Sequence, residues 1–234
     1  MKLNQSKKIK IIFIETSKLE YSHLYDQVDW IYIATPISTH FDLVKKFLKL
    51  KKNILCEKPI SLDKNEINYL YKLAKKSKAI LFVNHIEYFK FIQNNFFFNK
   101  NNSIKNHTNS FYNFETKFNK YLYHDFYLLE GKIDLRNMKV NSFSEDSDIV
   151  IIENNNIHKI SSKVISSAKR IHSINNQSFI TKKDYILDYF LSIFNGLEND
   201  SLNKKQVFFV SRFYEILRKN IKIKKVIKLN DLNN

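Results

Sequence analysis

Glu57-Lys58-Pro59 is the tripeptide of this chain best suited to chemistry. It closes the apolar run NILC, so the lysine stands at the end of a strand-like segment and is held there by the following proline. An ammonium fixed in that way can reach into a cleft, hydrogen-bond an alcohol and stabilise charge developing on its oxygen. Residue types alone favour a plainer reading, an ion pair at a strand end. Cys56, immediately before it, is either a reactive thiol or a small buried hydrophobe, and the second fits the apolar run better. His23, His107, His158 and His172 have no ligand spacing, so no metal site is expected.

The elements needed to position Lys58 are legible around it. VDWIYIATP, NILCEKP and ILFVNHIEYF are short β-rich runs, each ending in a polar turn. Helical patterns separate them. Thr39 and Asp42 form a capping-box-like start, followed by Phe41, Val44, Phe47 and Leu48 at helical spacing. Asp63 and Glu66 repeat the signal ahead of Ile67, Leu70, Tyr71 and Ala74. Alternating strands and helices predict a parallel sheet, whose ligands bind outside the carboxyl ends of the strands. Ile9–Ile14 reads as a further buried strand. It is expected to pair parallel to Asp29–Ala34 and fill the centre of the sheet.

Beyond the asparagine-rich stretch from Phe91 to His107 the signals change. Runs at Phe111–Phe118, Met138–Phe143, Asp148–Glu153, Ile157–Ile160 and Lys163–Ile174 alternate as strands. Tyr121–Leu129 reads as a helix ending at Gly131, and Asp184–Phe194 and Lys204–Lys219 as two more. Phe96-Phe97-Phe98 is expected to pack under a loop or at an interface. The fold expected is an incomplete Rossmann-like parallel sheet over residues 1–92. A second α+β domain over 105–234 is expected to carry an open, largely antiparallel sheet.

The turns ATPISTH and EKP in their strand–turn–helix context, with the later pair His124-Asp125, resemble the Gfo/Idh/MocA (glucose–fructose oxidoreductase / inositol dehydrogenase) family. The resemblance runs from about Val28 to Leu217. It implies an NAD- or NADP-dependent oxidoreductase acting on a sugar or sugar nucleotide. Lys58 and His124 would be catalytic, and Thr35, Pro36, His40, Glu57 and Lys58 would line the cofactor. His85 and Asp125 would touch substrate. For His40 and His85 a purely structural role, in a helix first turn and in a linker, stands beside these. The family often has an aspartate four residues before the histidine, where this chain has Lys120. Lys58 and His124 are expected to face one cleft.

One family element has no counterpart here. The chain has two glycines, Gly131 and Gly196, and neither precedes the ATP turn, where the family carries a Gly-rich phosphate loop. The sequence therefore reads as an N-terminally shortened member. Two outcomes follow: an oxidoreductase of impaired activity, or a non-catalytic descendant serving as a binding or oligomerisation module.

The net charge is +16, yet the lysines are spread along the chain and only four arginines occur, which argues against nucleic acid as partner. One cysteine fits a reducing compartment, and no apolar run reaches membrane-spanning length, so a cytoplasmic protein is expected. A homo-oligomer through the C-terminal sheet remains open.

Overall fold

The computed structural model describes residues 8–15, 22–93, 104–107, 123–131, 134–136, 138–143, 148–153, 156–163, 172–174, 177–179 and 184–222. The chain divides into two compact units that interleave in sequence. One comprises residues 1–84 with 186–204, the other residues 85–185 with 205–234.

The first unit is built on a parallel sheet of four strands in the order β1-β2-β3-β4: β1 Ile11–Ile14, β2 Trp30–Ile33, β3 Asn53–Cys56 and β4 Leu81–Val83. Ile14, Ile33, Cys56 and Val83 lie in register across it. The strands β2 to β4 read as continuous apolar runs because both faces are covered. Ile31, Ile33, Ile54, Leu55 and Cys56 are fully buried. Trp30 and Tyr32 meet the rings of Phe194 and Phe190 on α5 (Ile186–Phe194), at 5.1 Å each. Those contacts draw residues 186–204 into the first unit although they lie a hundred residues downstream.

Helix α1 (Ile37–Lys49) links β2 to β3, and α2 (Lys64–Ser77) links β3 to β4. The expected stripe Ile67, Leu70, Tyr71 and Ala74 is the buried face of α2, and Asp63 caps it by accepting from the Asn65 amide at 2.6 Å. Helix α1 departs from expectation at its start. It begins at Ile37, with Pro36 as its cap residue, because proline pre-sets the φ that the entry needs. Thr39 lies inside the first turn, its hydroxyl 2.7 Å from the Pro36 carbonyl and 2.7 Å from the Thr35 hydroxyl.

Ile11–Ile14 pairs parallel to β2, as expected, and Asp29 locks its start through Lys10. Among the described residues β1 is nevertheless an outer strand, not a central one, and Phe13 is 52 % exposed. The opposite edge is closed by a side chain. The Asn203 amide donates to the Val83 carbonyl at 2.8 Å and accepts from the Val83 N–H at 2.9 Å, imitating a neighbouring strand.

In the second unit, α3 (Ile86–Gln93) follows β4 directly, a helix that the periodicity of so short a segment does not announce. The unit's sheet has six strands in the order β10-β9-β5-β8-β7-β6. They are β5 Ile104–His107, β6 Met138–Phe143, β7 Asp148–Glu153, β8 Asn156–Lys163, β9 His172–Ile174 and β10 Gln177–Phe179. The β5–β8 pairing is parallel and the other four are antiparallel. Strand β5 falls inside the asparagine-rich stretch read as a boundary. Strands β7 and β8 pair antiparallel from Asp148 opposite Ser161 to Glu153 opposite Asn156.

Helix α4 (Tyr123–Phe126) tightens into a 3-10 turn over Tyr127–Leu129, and Gly131 follows at φ 72°, the left-handed conformation glycine allows cheaply. Phe126 packs on Phe213 of α6 (Asp200–Lys222), ring centres 4.2 Å apart, and both are fully buried. The expectations for Phe96-Phe97-Phe98, Phe111–Phe118 and Lys120 lie outside the described residues.

Candidate functional site

The strand ends of the first unit carry the residues that the resemblance assigns to the cofactor. Beyond the register row Ile14, Ile33, Cys56 and Val83, the parallel pairing continues by one hydrogen bond at each junction. Ala34 N donates to Ile14 O, Glu57 N to Ile33 O and Asn84 N to Cys56 O, each at 2.8 Å. Glu15, Ala34, Glu57 and Asn84 thereby line up along the carboxyl edge. Alternation along each strand puts Tyr32 and Leu55 on the same sheet face as Ala34, Glu57 and Asn84.

Glu57 is held there from two sides. Its Oε1 accepts from the Tyr32 hydroxyl in a short hydrogen bond and from Asn84 Nδ2 at 2.5 Å. The Tyr32 hydroxyl is pushed well above the ordinary tyrosine range, first by burial and then by the carboxylate beside it. Lys58, half-buried, is the next residue out. Burial likewise pushes the Cys56 thiol up, with Glu57 adding to the effect, and Cys56 is fully buried, in keeping with its reading as a small buried hydrophobe.

His40 joins the two turns. Its ring is 1 % exposed, with Nδ1 2.8 Å from the Pro59 carbonyl and Nε2 2.7 Å from the Thr35 carbonyl. Both partners are carbonyl oxygens, a ring N–H can donate to either, and the ring so bridges the ATP turn and the EKP turn. Thr35 is buried, its hydroxyl paired with that of Thr39, whereas Pro36 is exposed. Thr35, Pro36, His40, Glu57 and Lys58 are thus gathered at one edge of the first unit.

His85 and His124 belong to the second unit and are brought together by Tyr127. The His85 ring stacks on Tyr127 at 4.2 Å and 17°, and His124 Nδ1 lies 3.2 Å from the Tyr127 hydroxyl. His85 Nδ1 is 2.8 Å from Gln206 Oε1 and its Nε2 is 3.4 Å from the Tyr123 hydroxyl. All five residues are buried. Asp125 lies on the backbone of α4, and its side chain is outside the described residues.

Tyr32, Tyr127 and Gln206 carry no motif signal, and only their neighbours single them out. Among the described residues no cluster of His, Cys, Asp or Glu could hold a metal ion.

Glu57 presents a carboxylate and Lys58 an ammonium at the carboxyl edge. At the first strand end, where a Rossmann fold seats the pyrophosphate on glycine N–H groups, the residue after β1 is exposed Glu15. The sequence continues Thr16-Ser17-Lys18, without glycine. A carboxylate at that place repels phosphate.

A four-stranded parallel sheet with helical crossovers and a polar carboxyl edge defines a Rossmann-like α/β unit. Residues 3–85 match the sequence profile of the Gfo/Idh/MocA oxidoreductase family, NAD-binding Rossmann fold. The chain is 41 % identical over 56 residues to the inositol 2-dehydrogenase of Rhizobium meliloti, 24 % of this chain and 17 % of that protein. It is 34 % identical over 64 residues to the UDP-N-acetylglucosamine 3-dehydrogenase of Acidithiobacillus ferrooxidans, 27 % of this chain and 20 % of that enzyme. The matched stretch is thus about a fifth of these relatives' length. The solved structure of the latter enzyme aligns with a TM-score of 0.66 at 15 % identity, over 89 % of this chain and 82 % of that one. A Thermus thermophilus dehydrogenase, solved with NAD and UDP-GlcNAcA, aligns at 0.58 and 14 % identity, over 81 % and 75 % of the two chains. Likeness at that identity establishes the fold. No helix among the described residues is long and apolar enough to cross a membrane.

Proposed function

We propose that the chain is a Gfo/Idh/MocA-type oxidoreductase, dependent on NAD or NADP and acting on the hydroxyl or carbonyl of a sugar or sugar nucleotide. The observation that carries this reading is the EKP turn. Glu57 stands level with Ala34 and Asn84 at the carboxyl edge of the parallel sheet, where such sheets bind ligands, and Lys58 is the next residue out. A nicotinamide cofactor, when bound, would supply the hydride acceptor or donor. Glu57, fixed by Tyr32 and Asn84, would hydrogen-bond sugar hydroxyls. The Lys58 ammonium would bind the reacting oxygen and stabilise its negative charge. His40 would act by holding the Thr35 and Pro59 turns together. His124 would act as an acid–base or substrate-binding group, and His85 and Asp125 as substrate-side residues. The second unit is read as the family's C-terminal domain, and a homo-oligomer through its sheet belongs to the same reading.

A second reading, a non-catalytic descendant used for binding or oligomerisation, is favoured by the glycine-free sequence after β1, where the family carries a Gly-rich phosphate loop. Turnover separates the two. Purified chain is supplied with NAD or NADP and a panel of polyols, aldoses and UDP-sugars, and reduced cofactor is followed by absorbance. The enzyme reading expects turnover lost in Lys58→Ala. No turnover on any member of the panel, with the chain folded, favours the non-catalytic reading.

A further inference from the structure

The reading of His124 as an acid–base group leaves open what orients its ring. A histidine poised for proton exchange has its tautomer set by the hydrogen bond that its other nitrogen makes. A carboxylate at Nδ1 accepts the N–H there and makes Nε2 the more basic. In this chain the group at His124 Nδ1 is a phenol, the hydroxyl of Tyr127 one helical turn on, at 3.2 Å. A phenol oxygen shares its lone pair with its ring, so it donates better than it accepts, whereas a bare imidazole nitrogen is a good acceptor.

Tyr127 is itself held. It is fully buried, and its ring is stacked face to face against His85 at 4.2 Å. His85 is fixed in turn, its Nδ1 2.8 Å from the Gln206 carbonyl oxygen, which can only accept. That contact places the His85 proton on Nδ1 and turns Nε2 toward the Tyr123 hydroxyl as an acceptor. From Gln206 on α6 through His85 to Tyr127, each group constrains the plane of the next within the second unit.

We propose that Tyr127 is the positioning residue of His124, and that by donating to Nδ1 it keeps the proton on Nε2. This deepens the oxidoreductase reading and rests on it only for the role of His124 toward substrate. A neutral ring so fixed presents an N–H, not a lone pair. It suits an oxygen that accepts, such as a ketone carbonyl or an alkoxide, and is the wrong tautomer to take a proton from an alcohol. His124 would then hydrogen-bond the oxygen of the carbonyl form of a substrate rather than act as base on the alcohol form.

The test needs neither cofactor nor turnover, so it stands apart from the fate of the enzyme reading. The full chain is labelled with 15N-histidine, and long-range 1H–15N spectra are recorded above the pH of imidazole protonation, with His124→Gln assigning the resonances. The proposal expects a pyridine-type Nδ1 and a pyrrole-type Nε2 at His124, and in Tyr127→Phe a mixture in which the second tautomer appears. A pyrrole-type Nδ1 in the unaltered chain overturns it, as does a folded Tyr127→Phe with both shifts unmoved. Should Tyr127→Phe not fold, 3-fluorotyrosine incorporated throughout the chain strengthens the phenol as a donor with little change in size. The Nδ1 resonance of His124 must then move, and an unmoved one overturns the proposal.

Discussion

Tyr32 and Glu57 give a sharp energetic test of the strand-edge site. Tyr32→Phe removes one hydroxyl and leaves the ring, with its contacts to Phe13 and Phe190, in place. A hydrogen bond to an ionised group contributes about 1.5–3 kcal/mol. Glu57 is half-buried and keeps its Asn84 donor, which places the expected coupling at the lower end. A double-mutant cycle of Tyr32→Phe with Glu57→Gln should therefore give a coupling of about 1–2 kcal/mol. Urea unfolding supplies the free energies, and Trp30, the only tryptophan, supplies the signal. It is buried in β2 two residues from Tyr32 and reports on the first unit. A coupling under about 0.5 kcal/mol, the scatter of independent sites, would mean that the two side chains do not share a hydrogen bond and that Glu57 is not held at the edge by Tyr32.

His40→Phe removes the ring that bridges the two turns, and the loss of its N–H donor from one buried carbonyl, Thr35 O or Pro59 O, should cost about 1–3 kcal/mol in the same unfolding assay. His40→Gln, which keeps one donor group, should recover part of that loss. The alkaline limb of stability follows from three groups raised by burial: Cys56, Tyr32 and Tyr71. Their protonated forms are favoured in the folded state, so the stabilisation is complete below their unfolded values and is lost as pH rises beyond them. Unfolding free energy should fall from about pH 9 upward, by up to about 1.4 kcal/mol per pH unit for each group, and less steeply in Tyr32→Phe. An equal slope in that variant would contradict the burial of the Tyr32 hydroxyl.

The parallel sheet and its two crossover helices were legible because several local signals agree: apolar runs of strand length, caps at Asp63, and stripes at helical spacing. The edge position of β1 was not, since an apolar tetrapeptide reads alike at centre and edge until its neighbours are known. Helix α3 and strand β5 were hidden for a related reason. Eight residues make too few turns to show a period, and Ile104–His107 is polar in composition. The recruitment of residues 186–204 into the first unit rests on Trp30–Phe194 and Tyr32–Phe190, long-range contacts that no local pattern encodes. At the site, the motif residues Lys58, Glu57 and His40 could be named, whereas the partners that hold them could not. Tyr32 looks like any strand aromatic, and Tyr127 like any helix aromatic, until a hydroxyl is seen to meet a carboxylate or an imidazole.

The proposed oxidoreductase has Glu57 and Lys58 at the strand edge but a glycine-free sequence after β1, so weak binding of the dinucleotide is expected. Calorimetric titration of NADH into the 234-residue chain tests this most directly, with ADP-ribose as a second ligand to isolate the phosphate end. The expected result is a dissociation constant of about 1 mM or weaker, near −4 kcal/mol, for both ligands. Micromolar binding of either, about −8 kcal/mol, would show that another segment grips the pyrophosphate and would contradict the account.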